Sequence, residues 1–334
     1  MARRLPDFHG FIGQRGIVEF LCQQLAGAQE RGVIFPHLLL QGASGMGKTH
    51  LARALARENK TTCVSLIGKN SPALICEKLI GMGTSDFLFL DEAHDLPKDS
   101  QEFLLEVIDA TRDSAGEVTD KLGPQVPANR NNGKLQVPQV TFILATDRAG
   151  KLAKALLKRM ELVKQLTDYS EQEMGEIGTR VATNLGIAIK KQAINLVSRT
   201  SQGSPRRIKH VLLGMSRHYG TSKKEWTTED VRQYLVADGC DPEGLQAPQV
   251  RYLHRLHAIG QASQETLAAI NELDPEFLYH NVEIPLLKMG LVTIGCRGRE
   301  LTTQGVAWVV QRQANTNGNT NTNTQANGKE KYSS

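Results

Sequence analysis

The 334-residue sequence predicts an α/β fold, a parallel sheet wrapped by helices, followed by an α-helical domain and a small C-terminal helix-and-hairpin domain. Three observations predict it. From Ile12 to about Asp147 short apolar runs alternate with helical periods, as they do where buried parallel strands are joined by helices. From Gly150 to about Gly239 the text is helical throughout, with start signals at Ser170 followed by Glu173 and at Thr227 followed by Asp230. After "CDPEGLQAP", from about Pro248 to Gln313, two helical periods lead into a pair of short runs around a glycine-spaced turn.

The first strand is the apolar run His37 to Leu40, and "GASGMGKT" follows it. Gly42, Gly47, Lys48 and Thr49 satisfy the spacing G-x-x-x-x-G-K-[ST] of a phosphate-binding loop. Leu51, Ala52 and Leu55 then mark one face of a helix, so the loop lies between a strand and a helix as its chemistry requires. Glycines at Gly42, Gly45 and Gly47 let the backbone around Met46 turn its N–H groups toward phosphate oxygens at the positive end of that helix. Lys48 is placed to neutralise the β- and γ-phosphates of ATP, and the Thr49 hydroxyl to ligate Mg²⁺. The bland alternative is a glycine-rich turn with a surface lysine, which leaves the flanking strand and helix unexplained.

"TTCVSLI" reads as the next strand, and Phe87 to Leu90 as another that ends in Asp91 and Glu92. Asp91 suits the Mg²⁺ shell and Glu92 the orientation and deprotonation of an attacking water. The alternative is a strand followed by an acidic helix cap. The letters Asp91-Glu92-Ala93-His94 also spell the signature of one helicase class, whose members resemble a tandem of two RecA-like domains. Here one α/β domain precedes the helical region. Val140 to Ala145 is a further buried strand, and Thr146 and Asp147 at its tip are placed to sense a γ-phosphate or its water. In "SQGSPRRIKHVL", Ser204 caps a helix and Pro205 opens it, so Arg206 and Arg207 oppose the helix dipole in its first turn. Arginine so placed suggests an anionic ligand such as a γ-phosphate; a basic surface helix is the other reading.

The third unit reads as a winged helix. Asp274 and Pro275 make a helix start, Gly290 a stop, and "LVTI" and "ELTT" flank "GCRGR", a hairpin with Arg297 and Arg299 at its tip. A basic hairpin suits contact with a DNA phosphate backbone, without base reading; a protein-binding winged helix is the alternative. Composition fits a polyanionic partner without requiring one, since the net charge is +5. The five cysteines form no C-x-x-C pair, no apolar run approaches a membrane span, and the N-terminus lacks a signal-peptide core. These features point to a soluble, cytoplasmic chain with no membrane partner. The polar tail, residues 314–334, is expected to be disordered.

Taken in order, these pieces resemble an AAA+ ATPase and, more narrowly, the RuvB family of Holliday-junction branch-migration motors. "FIGQ" (Phe11 to Gln14), "GASGMGKT", "FLFLDEAHDL", "ATDRAGKLAKALLKRM", "GSPRRI" and "MGLVTIGCRGRELTTQG" carry the resemblance. It implies an AAA+ domain over residues 1–160, a helical lid over 161–240 and a winged helix over 241–313. It also implies a homo-oligomeric ring, a hexamer as in the family, that moves double-stranded or branched DNA in recombination and repair. Within it, Arg206 matches the second sensor, Arg159 an arginine serving the site from a subunit boundary, and Tyr169 a nucleotide-contacting tyrosine. Arg4 and Leu5 fall where the family contacts adenine. This chain departs from the family at Leu157, where an arginine is usual, and at Asp147 and His50, where threonines are usual. Ile294 likewise replaces an arginine on the wing's first strand. The segment Asp113 to Gln139 is longer than the family's hairpin for docking RuvA, so a RuvA-like partner is implied with an altered surface. The rival reading is an AAA+ regulatory switch, such as a helicase loader or a part of a mobile-element or defence system. The long insert and altered sensor favour the switch, the basic wing the motor.

Overall fold

The computed structural model describes residue 8 and residues 10–112, 117–119, 130–131, 134–220 and 225–313. The expectations for Arg4, Leu5, the tail and most of the insert lie outside these residues. In chain order the first part contains α1 (Arg15–Arg31), β1 (Leu38–Gln41), α2 (Lys48–Asn59), β2 (Cys63–Ile67), α3 (Pro72–Ile80), β3 (Phe87–Asp91) and α4 (Lys98–Arg112). Three short strands, β4 (Glu117–Thr119), β5 (Arg130–Asn131) and β6 (Lys134–Gln136), form a small antiparallel sheet within the insert. Then come β7 (Thr141–Thr146), α5 (Lys154–Leu157), β8 (Leu162–Gln165) and α6 (Glu171–Asn184).

The main sheet has five parallel strands in the order β2-β3-β7-β1-β8. Because β7 lies between β1 and β3, the loop after β1, the acidic end of β3 and the polar end of β7 meet at one edge of the sheet. Ligands in open α/β sheets gather outside the carboxyl ends of strands for this reason. Apolar runs rather than alternation mark these strands, since both faces are covered: all six residues of β7 and the first four of β3 are buried. Leu39, Leu88, Leu90, Phe142 and Leu144 pack with Ile75 and Leu79 of α3 and with Leu104 and Ile108 of α4 in one core.

β8 corrects the reading of helix throughout from Gly150. Only alternate residues of its Leu-Val-Lys-Gln sequence are half-buried, so an edge strand this short and half polar carries no apolar run to announce it.

The chain divides into two compact units, the first running to Ile177 and including Gly203–Arg206, the second comprising Gly178–Gln202 and the chain from Arg207 onward. The second unit takes in most of α8 (Pro205–Tyr219), with α7 (Lys191–Thr200) and α9 (Thr228–Ala237). The expected capping boxes are present: Ser170 and Glu173 exchange hydrogen bonds at the start of α6, and Thr227 and Asp230 at the start of α9. The second unit continues through α10 (Ala247–Ile259), β9 (Gln261–Ala262), α11 (Gln264–Asn271), α12 (Pro275–Phe277), a π-helical turn over Leu278–Glu283, α13 (Ile284–Lys288), β10 (Val292–Gly295) and β11 (Gly298–Leu301). A last helix covers 303–313. Tyr252, Leu253, Leu256, Leu267, Leu286 and Trp308 share its core, and β9, β10 and β11 form a three-stranded sheet, the architecture of a winged helix. Among the described residues no helix is long and apolar enough to cross a membrane.

Candidate functional site

The loop after β1 is shaped by what surrounds it. Gly45 adopts φ +84°, and a Cβ there would lie 2.8 Å from Ser204 Oγ and 3.1 Å from Arg206 Cβ. A side chain there would crowd both residues, so the glycine lets the start of α8 lie against the loop. Arg206 Nη1 donates to Ser44 Oγ at 3.0 Å, placing its guanidinium beside the loop. Lys48 is buried, and its Nζ donates to Gly42 O at 2.6 Å and Ala43 O at 3.1 Å. Burial pushes its pKa down, against the carboxylates of Glu92, Asp91 and Asp147, which hold it up. That ammonium therefore faces three anions in a partly desolvated place, and a phosphate chain would exchange loop carbonyls for charged oxygens.

Thr49 Oγ1, in the first turn of α2, donates to Asp91 Oδ2 at 2.8 Å. A hydroxyl and a carboxylate so paired are hard oxygen ligands of the kind that Mg²⁺ takes. Tyr169 Oη donates to Met46 O at 2.9 Å, joining the segment before α6 to the loop. Burial pushes the Tyr169 phenol up to about 12, so it stays a donor at neutral pH. His50 stacks on Phe11 with ring centroids 5.6 Å apart.

At the acidic end, the chain leaves β3 through Glu92 at φ 50° and makes one 3₁₀ turn, Ala93–Asp95. That turn carries the buried His94 ring back to the end of β7. His94 Nδ1 lies 3.0 Å from Thr146 Oγ1, 3.5 Å from Asp147 Oδ1 and 3.6 Å from Glu92 Oε2. Thr146 Oγ1 also accepts the Arg148 N–H at 2.9 Å, so its hydroxyl is engaged on two sides. Of the two residues expected to sense phosphate, Asp147 is therefore the more open. Ligand atoms of Glu92, His94 and Asp147 lie within 4.8 Å of one another, close enough to hold a metal ion, but the Thr146 hydroxyl already competes for Nδ1.

Comparison with known proteins agrees with this geometry at both ends of the chain. The family described as "Holliday junction DNA helicase RuvB P-loop domain" matches residues 4–166, and the "RuvB C-terminal winged helix domain" matches residues 242–309. The Holliday junction branch migration complex subunit RuvB of Synechococcus sp. (strain CC9311) is 32% identical over 311 residues, which are 91% of this chain and 84% of that protein. The chain belongs to the RuvB family. The corresponding subunit of Desulfosudis oleivorans is 31% identical over 322 residues, covering 90% of this chain and 89% of that protein. Among solved structures, the Thermotoga maritima RuvB Holliday junction branch migration motor superposes with a TM-score of 0.74 at 25% identity, over 90% of this chain and 95% of that one. A mutant of the Thermotoga protein gives a TM-score of 0.76 at the same 25% identity, over 92% of this chain and 98% of that one.

Within this RuvB-family frame, Arg159 stands apart from the loop. It follows α5, and its Nε and Nη2 donate to Asp109 Oδ1 and Oδ2 of α4 at 2.7 and 2.5 Å, a two-pronged ion pair. Arg207 separates from its neighbour Arg206, its Nη2 donating to Gly244 O at 2.5 Å.

The wing requires a correction. Gly295 pairs with Gly298, so Cys296 and Arg297 alone form the turn, and Arg299 lies within β11. Its guanidinium points inward: Nε donates to Glu283 Oε1 at 3.1 Å, and Nη2 to Glu283 Oε2 at 3.1 Å and Gln264 Oε1 at 2.7 Å. Glu283 is fully buried and also accepts from Tyr252 Oη at 3.0 Å. Arg299 is thus spent on a buried carboxylate, and Arg297 is the tip cation. Gly298 likewise serves the fold, because a Cβ at its φ of +120° would sit 2.3 Å from Ala262 O of β9. Ile294, on the wing's first strand, is exposed.

Sequence reasoning gave no role to His94, Ser44, Asp109 or Glu283. The first follows an acidic strand end closely enough to have been flagged. Glu283 gave a weaker signal, one acid inside the apolar run "NVEIPLL".

Proposed function

We infer that this chain is an ATP hydrolase that drives the migration of branched double-stranded DNA, as RuvB-family motors do. The observation that carries the reading is the family match at both the phosphate-loop domain and the winged helix of one chain. That joint match removes most of the ground for an assembly switch, which needs no matching DNA module.

In this reading the loop from Gly42 to Thr49, with Met46 and Lys48, holds the ATP phosphates, Tyr169 walls the nucleotide, and Arg4 and Leu5 lie toward adenine. Thr49 and Asp91 hold Mg²⁺, which neutralises phosphate charge when bound. Glu92 aligns and deprotonates water, Asp147 and Thr146 report the γ-phosphate, and Arg206 reaches it from the start of α8. His50, directly after the loop and stacked on Phe11, borders the same nucleotide. Arg159 serves the site of a neighbouring subunit in a ring of six, exchanging Asp109 for phosphate as that interface forms. Arg297 touches the DNA backbone, the 113–139 segment meets a RuvA-like junction-binding partner, and the work is done in the cytoplasm.

The test is the ATPase rate of the purified chain alone, with linear duplex and with a synthetic four-way junction, together with strand exchange on that junction when a junction-binding partner is added. DNA-stimulated hydrolysis and ATP-dependent exchange are expected. Hydrolysis indifferent to every DNA, with no exchange, would overturn the motor in favour of the switch.

A further inference from the structure

We propose that His94 is a positioning residue for ATP hydrolysis: through Nδ1 it ties the Glu92 carboxylate to the end of β7 at Thr146 and Asp147. The proposal rests on the hydrolase reading above. The ring's surroundings are polar on both edges, which a packing histidine does not need. Nδ1 faces Thr146 Oγ1 at 3.0 Å and oxygens of Asp147 and Glu92 at 3.5 and 3.6 Å, while Nε2 faces Asp95 Oδ1 at 3.6 Å. Only 5% of the side chain is exposed, so neighbouring protein groups rather than solvent surround the ring.

The oxygens of Thr146, Asp147 and Glu92 grouped around Nδ1 suit the tautomer that carries its proton on that nitrogen. Nδ1–H then donates to Thr146 Oγ1, which also accepts the Arg148 N–H and so is fixed from the backbone side. Glu92 and Asp147 border the same N–H, just beyond hydrogen-bond length. Both also interact with Lys48, the cation of the phosphate loop. The ring therefore sits where the water-activating carboxylate and the sensing strand meet, and a shift of either moves the other. A threonine hydroxyl and a carboxylate, adjacent at one strand tip, give this tie a neutral and a charged arm.

The atoms on the two ring edges can be separated by substitution. Asparagine places an amide near the position of Nδ1, and glutamine near that of Nε2. His94→Asn is expected to keep most of the wild-type kcat, whereas His94→Gln and His94→Ala lose about ten-fold or more with ATP affinity, read by a fluorescent ATP analogue, little changed. Thr146→Val, which leaves the ring in place, should lower kcat in the same direction even where the His94 variants fold poorly. A kcat untouched in His94→Ala or in Thr146→Val overturns the proposal, as does a loss shared equally by Asn and Gln that follows ATP affinity and melting temperature. If the unaltered protein hydrolyses no ATP, the hydrolase reading falls first and this one with it.

Discussion

Replacing Arg299 with alanine should damage the winged helix rather than its affinity for DNA. The guanidinium makes three hydrogen bonds to Glu283, whose side chain is wholly buried, and only 14% of the Arg299 side chain is exposed. Removing one partner of a buried pair leaves the other charge uncompensated, a loss of about 3–5 kcal/mol. Part of that is recovered, since Tyr252 Oη still donates to Glu283, and water reaches the rim of the gap. A loss near the lower end, about 3 kcal/mol, follows. In a unit of this size it lowers the melting temperature by about 6–12 °C. Calorimetry of the full chain, comparing Arg299→Ala, Glu283→Gln and the double variant, measures it, and the double variant should be less damaged than the sum of the singles. The reasoning is refuted if Arg299→Ala melts with the parent while its duplex affinity collapses. That outcome makes Arg299 a phosphate ligand after all.

Arg297→Ala, by contrast, should leave melting unchanged and reduce the salt dependence of duplex binding by a slope of about one, measured by titration at several salt concentrations. An unaltered slope would remove the wing turn from the DNA contact. Lys48→Ala is expected to lose ATP binding and Glu92→Gln to keep it without hydrolysis, checked by nucleotide binding and phosphate release; equal hydrolysis by both would dissolve the site assignment. Mixing Arg159→Ala with Glu92→Gln subunits should restore some ATPase at interfaces that join an intact arginine to an intact glutamate. No recovery in demonstrably mixed rings confines Arg159 to its pairing with Asp109.

The nucleotide half was legible in the sequence because its chemistry is local. Gly42 to Thr49 must be contiguous to wrap a phosphate, and Asp91 must close a strand, so spacing and an apolar run place both. Strands β1, β2, β3 and β7 announced themselves by their apolar runs, while β8, at the sheet's edge, did not. Contacts between distant residues were the illegible part. Nothing in "GCRGR" shows that its second arginine is claimed by an acid sixteen residues earlier. His94 reaches a threonine fifty-two residues away only because β7 is inserted beside β3. Arg206 was found from the opposite direction: its unfavourable place in a helix's first turn asked for an anion before its position beside Ser44 was known.

The backbone at Glu92 has a further consequence. A glutamate held at φ 50° occupies the left-handed region, where the Cβ of an L residue crowds the following carbonyl oxygen. Asparagine is more at ease there, so Glu92→Asn should raise the unfolding free energy by roughly a few tenths to 1 kcal/mol while ending hydrolysis. Turnover and thermal resistance then pull in opposite directions at one residue. A selection for heat tolerance that ignored ATP consumption would be expected to discard this glutamate early, and a survey of stabilised variants would mark the position of the chemistry without any assay of it.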